Sequence, residues 1–303
     1  MKSFDLVIIG GGICGMTAAI YAARANIRAC ILEQQVCGGL VNWTNTVENV
    51  PSYQSIHGID LMEKCREHVE SLQVAIEEVD EVVEVDFSGD IKIVRTSMGE
   101  EYRAPAVIVA TGRKPRPFPV ETDFEKVHYC SVCDGTPYKG KSVLVMGGGN
   151  SGFDESLYLL GLGVHDIHIV ETFPSCIAAA ATQDQARATG KIRVSVSTDI
   201  TAVDILPSGR GLAHFHDKAE GRDYTEEIDG IFCFIGQDPN TSVFENVLDM
   251  EHGYIRVNAD METNIPGVFA AGDVTVKKYR QITTAMGDGT IAALQAGAYL
   301  RSR

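Results

Sequence analysis

Short, mostly apolar runs, several of them closing on glycine or glutamate, dominate the hydrophobic pattern of this chain. Residues 4–9, 28–32 and 106–109, then 141–146 and 167–170, then 228–235 and 268–271, are each rich in Val, Ile, Leu or Ala. Runs of this length without polar alternation predict strands buried on both faces, as in parallel sheets. Helical patterns lie between them: an alanine-rich stretch over 16–24, an amphipathic one over 59–72 and a small-residue one over 178–188. A last helix begins near Arg280 and runs toward Leu300, with Gly287 and Gly289 inside it. Residues 74–93 alternate apolar and charged positions and predict an antiparallel hairpin turning at Ser88-Gly89-Asp90. Residues 192–215 predict two strands joined at Pro207-Ser208-Gly209, and 254–257 one more.

Two of these strands open into glycine loops. Gly10, Gly12 and Gly15 follow the first at G-x-G-x-x-G spacing, a helix follows, and the next strand ends at Glu33. Such glycines let backbone approach a pyrophosphate at a helix N-terminus, and an acid about 20 positions later binds a ribose diol. The strand 141–146 opens into Gly147-Gly148-Gly149-Asn150-Ser151-Gly152, a helix runs to Leu160, and the next strand closes on Glu171. The fold is duplicated within the chain, which predicts an α/β protein of two Rossmann-like dinucleotide-binding domains, each with a three-layer α/β core. The three prolines of 113–119 and the run Gly236-Gln237-Asp238-Pro239-Asn240 read as crossings between them.

Composition narrows the class. A chain of 303 residues with 45% hydrophobic and 22% charged residues is an ordinary soluble globular protein with room for two domains. A formal charge of −15 argues against nucleic acid or an anionic membrane as partner. No run approaches the roughly 18 apolar residues of a membrane span, and the start lacks the order of a signal peptide, so a cytoplasmic location is expected. Of eight cysteines only Cys130 and Cys133 are closely spaced. In that setting Cys-x-x-Cys reads as a redox dithiol, able to close into a disulfide or to hold one thiolate at lowered pKa. Asp134 adjoins it as a proton carrier, and an imidazolium at His128 would lower a thiolate's pKa. Cys14, Cys37, Cys65, Cys176 and Cys233 read as structural thiols, and His165/His168 and His214/His216 as solvated surface, so no metal site is expected. The acidic run 77–84 reads as a solvated hairpin face, and the polar, glycine-rich loop 37–51 as functional.

The motifs together resemble those of the low-molecular-weight thioredoxin reductases, flavoproteins of the pyridine-nucleotide disulfide oxidoreductase superfamily, over nearly the whole chain. The resemblance rests on Gly10 to Gly15 with Glu33, Gly38-Gly39, Glu48-Asn49-Val50-Pro51, Ala110-Thr111-Gly112, Cys130-Ser-Val-Cys133-Asp134-Gly135, the second glycine loop, Gly272-Asp273-Val274 and Arg280-Gln281. It implies an FAD domain split into 1–113 and 240–303, with an inserted NAD(P)H-type domain, 114–239, that carries the dithiol. It implies FAD held by Gly10, Gly12, Gly15, Glu33, Gly39, Asn49, Thr111, Gly112, Gly272, Asp273, Arg280, Gln281 and Ile282, with Val82 near the adenine. It gives Cys133 the flavin, Cys130 the attack on a partner's disulfide, and Asp134 the proton for the leaving thiolate. It further implies a homodimer acting on thioredoxin or a thioredoxin-like protein, by rotation of one domain on the other about the two crossings.

The second unit departs from the resemblance at one place. NADPH-using members follow the second βαβ strand with a His-Arg-Arg cluster for the 2′-phosphate, whereas here the chain reads Val170-Glu171-Thr172-Phe173-Pro174, with no arginine before Arg187. A carboxylate there repels a phosphate and suits a free ribose diol, so NADPH is not the expected donor. Two donors stay open: NADH, or a carrier other than nicotinamide, such as ferredoxin, a flavin carrier or another protein. Phe153, where the family has a smaller side chain, weighs for the second, since a phenyl ring would fill the cofactor crevice. A dithiol oxidase that passes electrons to oxygen, and a flavin-bound sensor without turnover, are further alternatives.

Overall fold

The computed structural model describes every residue except Asn45, which falls within the loop 37–51 and so lies outside the described residues. The chain forms two compact units, Met1–Lys114 with Asp238–Arg303, and Pro115–Gln237. The helices are α1 (Ile13–Arg24), α2 (Gly58–Ser71), a short α3 (Ser131–Asp134), α4 (Asn150–Gly161), α5 (Ala180–Ala188) and α6 (Ile282–Arg301).

The first unit is built on a parallel sheet ordered Val268–Ala270, Ala106–Val109, Leu6–Ile9, Ala29–Leu32, Ala75–Glu77. Its inner strands are apolar throughout because both faces are covered. Leu6, Ile8, Ala29, Ile31, Ala106 and Ile108 face α1, α2 and α6, whereas Val7, Ile9, Cys30, Leu32, Val107 and Val109 face the opposite layer. That layer is a sheet of Val82–Asp86, Lys92–Thr96 and Glu101–Ala104, edged by Lys2–Ser3. The second unit repeats the plan. Its parallel sheet runs Val127–His128, Gly230–Cys233, Ser142–Met146, Asp166–Val170, Ile192–Ser195. Helices α4 and α5 cover one face, and an antiparallel sheet of Thr198–Ile205, Gly211–Asp217 and Arg222–Ile228 covers the other. The two-domain α/β expectation holds.

Three element expectations are corrected. Within 74–93 only Val82–Asp86 and the strand after it form a hairpin, while Ala75–Glu77 is the edge strand of the parallel sheet. An edge strand is half solvated, so its polarity mimics hairpin alternation. Residues 192–215 hold three strands, because Ile192–Ser195 is likewise a parallel edge. The run 228–235 is divided: Ile228 ends the charged strand Arg222–Ile228, and Gly230 begins a parallel one. Glycine is required at that break, since any Cβ on Gly230 would collide with the Tyr138 ring. Among the described residues no helix is long and apolar enough to cross a membrane.

Candidate active site

The first glycine loop is shaped by collisions that only glycine avoids. Gly10 has φ +109°, and a Cβ there would strike the Ala110 carbonyl, while one on Gly15 would strike the Gly10 carbonyl. Gly12 is different: nothing lies within 4 Å of where its Cβ would stand, and no side chain caps α1 behind it. Glu33 closes the loop, its Oε2 accepting from Gly11 N at 2.7 Å and its Oε1 from Gln35 N at 2.9 Å. Asp80 N donates to Glu33 O at 3.2 Å, which brings the stretch before Val82 to the same sheet edge. Gly38 N donates to Gly11 O at 2.9 Å, so Gly39 follows directly beside the loop.

The remaining residues of the implied FAD set gather at the start of α6 and the strand exits beside it. Gln281 caps α6 in a capping box with Thr284, and its Oε1 accepts from Asn49 Nδ2 at 3.2 Å. Ile282 opens the helix and packs into the core around Leu61. Arg280 lies over the Tyr254 ring, 4.2 Å from its centroid. Thr111 Oγ1 donates to Asn240 O at 2.7 Å, and Asn240 N to Gly112 O at 3.0 Å. Gly272 N donates to Asp288 Oδ2 at 3.2 Å, and Lys277 Nζ to the same oxygen at 2.7 Å. Asp288 is missing from the residues that the sequence singles out. Its signal is an acid between two glycines inside a helix.

These features fit a bound flavin dinucleotide. Asp273 Oδ1 is buried without a hydrogen-bond partner, with Lys277 Nζ 3.7 Å away. Burial raises the Asp273 pKa against the pull of Lys277, Arg113 and Arg280. A ligand hydroxyl donating to Oδ1 would supply the missing partner, and the open space at Gly12 would admit a pyrophosphate.

In the second unit Cys130 and Cys133 form a disulfide across the start of α3. Cys133 N donates to Cys130 Sγ at 3.0 Å. Cys130 is only 5% exposed, whereas Cys133 is exposed. Asp134 Oδ2 stands 3.4 Å from His128 Nδ1, and His128 Nε2 lies 2.7 Å from the Tyr138 hydroxyl. The neutral tautomer with Nδ1–H toward Asp134 and Nε2 accepting from Tyr138 satisfies both contacts. Burial lowers the His128 pKa and outweighs the upward pull of Asp134. An imidazole held below its ordinary pKa is neutral at neutral pH, so His128 does not supply the imidazolium that would lower a thiolate's pKa. Burial also pushes the Tyr138 hydroxyl up to about 12, so it stays a proton donor.

The second glycine loop copies the first. Gly147 has φ +116°, and Cβ atoms on Gly147 and Gly152 would strike the Phe234 and Gly147 carbonyls, while Gly149 is as open as Gly12. Glu171 Oε2 accepts from Gly148 N at 2.7 Å and Oε1 from Phe173 N at 2.9 Å, the same two bonds that Glu33 makes. Cys37 and Cys176 also correspond, each pressing against the middle glycine of its loop. Phe153 does not fill the crevice. It is 1% exposed and packs in the core with Val143, Val145 and Phe232, the place Met16 takes in the first unit. The helical position after the last loop glycine points into the sheet, and so a large apolar side chain is accommodated there.

Burial raises the pKa of every free cysteine: Cys37 to about 12, Cys65 and Cys233 to about 11, and Cys14, Cys30 and Cys176 upward as well. Such thiols are inert at neutral pH. The solvated reading of His168 is corrected: it is 2% exposed, held between Glu226 Oε2 and Ser195 Oγ, both at 2.8 Å. His214 and His216 do lie toward solvent, paired with Asp204 and Asp223.

Comparison with known proteins adds the relatives. The family described as pyridine nucleotide-disulphide oxidoreductase matches residues 4–289. The chain is 39% identical over 306 residues to a 34.2 kDa protein in a rubredoxin operon of Clostridium pasteurianum, covering 99% of this chain and 98% of that one. It is 35% identical to the thioredoxin reductase of Bacillus subtilis, covering 99% and 95%. Among solved structures, the Lactococcus lactis thioredoxin reductase in its FR conformation superposes with a TM-score of 0.92 at 34% identity, covering 99% and 100%.

Proposed function

Because the chain belongs to the pyridine nucleotide-disulphide oxidoreductase family, as an FAD-dependent disulfide oxidoreductase of the thioredoxin reductase type, we propose that its Cys130–Cys133 pair reduces the disulfide of a thioredoxin or thioredoxin-like protein. FAD, held by Gly10, Gly12, Gly15, Glu33, Asp273 and the α6 start, supplies when bound the two electrons that open the Cys130–Cys133 bond. The Cys130 thiolate then attacks one sulfur of the partner's disulfide, that bond breaks, and the leaving thiolate takes a proton from Asp134. Cys133 next attacks Cys130, which reforms the enzyme disulfide and releases the partner as a dithiol. The observation that carries this order is the Cys133 N–H donated to Cys130 Sγ at 3.0 Å. A hydrogen bond to sulfur favours the thiolate, and so marks Cys130 as the attacking member.

Two single variants test it. Cys133→Ser keeps the attacking thiol but cannot resolve the intermediate, so it is expected to accumulate a mixed disulfide with thioredoxin on Cys130. Cys130→Ser is expected to capture none and to lose at least roughly a hundredfold in turnover. Capture by Cys130→Ser alone would reverse the two roles.

NADPH is not the donor in this reading, because the Glu171 carboxylate would repel a 2′-phosphate at the end of its strand. Electrons then come from a carrier other than nicotinamide, or from NADH. The second is favoured by one observation: Glu171 makes the same two backbone bonds as Glu33, and the glycine loop beside it is intact. Anaerobic titration of the flavin absorbance separates them. Stoichiometric bleaching by NADH selects NADH, and bleaching by dithionite alone selects a protein or flavin carrier. Bleaching by NADPH at low concentration would overturn both.

A further inference from the structure

One polar pair near the dithiol has no part in the disulfide exchange. Gly135 N donates to Ser131 O at 2.8 Å, which sets Ser131 one turn before Gly135 on the dithiol segment. That segment rests on α4: a Cβ on Gly135 would meet Leu162 Cδ1 at 2.8 Å and Leu159 Cδ2 at 2.9 Å. One turn back along α4 from Leu159 is Glu155, on the same face as Leu159 and Leu162. Ser131 has no exposed surface, and both its Oγ and Glu155 Oε2 are shielded from solvent without a hydrogen bond of acceptable geometry. Two unpaired buried polar atoms on facing elements, at the turn that carries a redox disulfide, need an explanation.

We propose that Glu155 is a positioning residue for the dithiol, holding a proton behind Ser131 whose release places a negative charge beneath the Cys-Ser-Val-Cys turn and so sets how readily Cys130 and Cys133 ionise. This rests on the proposed redox role of that pair. Reduction by two electrons from the flavin turns one S–S bond into two sulfurs that either take protons from solvent or remain thiolates. A neutral Glu155 leaves the thiolate undisturbed, whereas an ionised one opposes it. The carboxyl is suited to change state in the working range. Burial raises its pKa to about 7, Asp154 adds to the rise, and the nearby Ser131 hydroxyl opposes it. The titratable groups on the dithiol segment that packs on α4 are Cys130, Cys133 and Asp134, with His128 and Tyr138 behind Asp134. On α5, which also packs on α4, Asp184 and Arg187 pair with each other at the surface.

The test is the alkylation rate of Cys130 and Cys133 by iodoacetamide in the reduced, FAD-loaded enzyme, followed by mass from about pH 5 to about pH 9. Wild type is expected to show an inflection near pH 7, where ionisation of Glu155 begins to slow the rise in rate. Glu155→Gln is expected to lose that inflection and to react roughly three- to tenfold faster at about pH 8, as a pKa change of about half to one unit gives. Ser131→Ala keeps the carboxyl but removes the opposing hydroxyl, so its inflection is expected at higher pH than in wild type. Glu155→Asp, which retains an acid, is expected to restore an inflection. A Glu155→Gln profile superimposable on wild type, or an unmoved inflection in Ser131→Ala, would overturn the proposal alone. No alkylation of either cysteine after reduction would overturn both it and the redox reading beneath it.

Discussion

Glu155 also bears on stability. Its pKa rises from 4.5 to about 7 on folding, so between those values the unfolded chain has lost a proton that the folded protein keeps. Stability therefore falls as pH rises through that window and levels off above it, for a total on the order of 3 kcal/mol. Glu155→Gln lacks the titrating group. Its thermal midpoint relative to wild type is expected to climb from about pH 4.5 to about pH 7 and then stay flat, and a constant offset across pH would refute this. Such a residue is hard to read from sequence. Glu33 and Glu171 are legible because each ends an apolar strand at a fixed distance from a glycine loop. Glu155 lies in an ordinary helical run, and its burial comes from tertiary packing that the local pattern does not show. His128 is partly legible: its closeness to the dithiol shows in the sequence, but its charge depends on burial, and burial keeps it neutral.

Among elements, α6 shows how alike two glycines look in sequence and how unlike they are in place. A Cβ on Gly289 would strike the Cys14 carbonyl, because α1 and α6 cross closely there, whereas Gly287 is exposed with nothing within 4 Å. Gly289→Ala is expected to destabilise by roughly 1–3 kcal/mol through overpacking. Gly287→Ala is expected to stabilise by about 0.5–1 kcal/mol, since alanine is the better helix former. Urea melts of the two variants check the opposite signs. The inner parallel strands are legible as pure apolar runs, since both faces of each are covered. The edge strands Ala75–Glu77 and Ile192–Ser195 are not, because half of each meets solvent and its polarity reads as a hairpin. The strand Arg222–Ile228 hides for a related reason: its charged residues lie on the outer layer of the second unit.

For the whole molecule the governing fact is repetition. Two parallel sheets, two glycine loops, two strand-end acids and two cysteines set against the loops recur with the same local bonds. That duplication is visible in sequence because glycine spacing and strand polarity survive when side-chain identity drifts. The likeness continues beyond the acid: Gly38 N donates to the Gly11 carbonyl at 2.9 Å in the first unit and Ile177 N to the Gly148 carbonyl at 3.0 Å in the second, where Ala178 N adds a bond at 3.2 Å.

The second unit is one uninterrupted stretch, Pro115–Gln237, and its two ends meet where Arg116 N donates to Gly236 O at 3.0 Å. The first unit joins its own two pieces just as directly, Asn240 N donating to Gly112 O at 3.0 Å. A segment that leaves and returns at one point behaves as a cassette. It can be lifted out with its disulfide, or exchanged for another, without stretching the chain it came from. The disulfide and the first glycine loop are thus written on pieces of polypeptide that cloning can part.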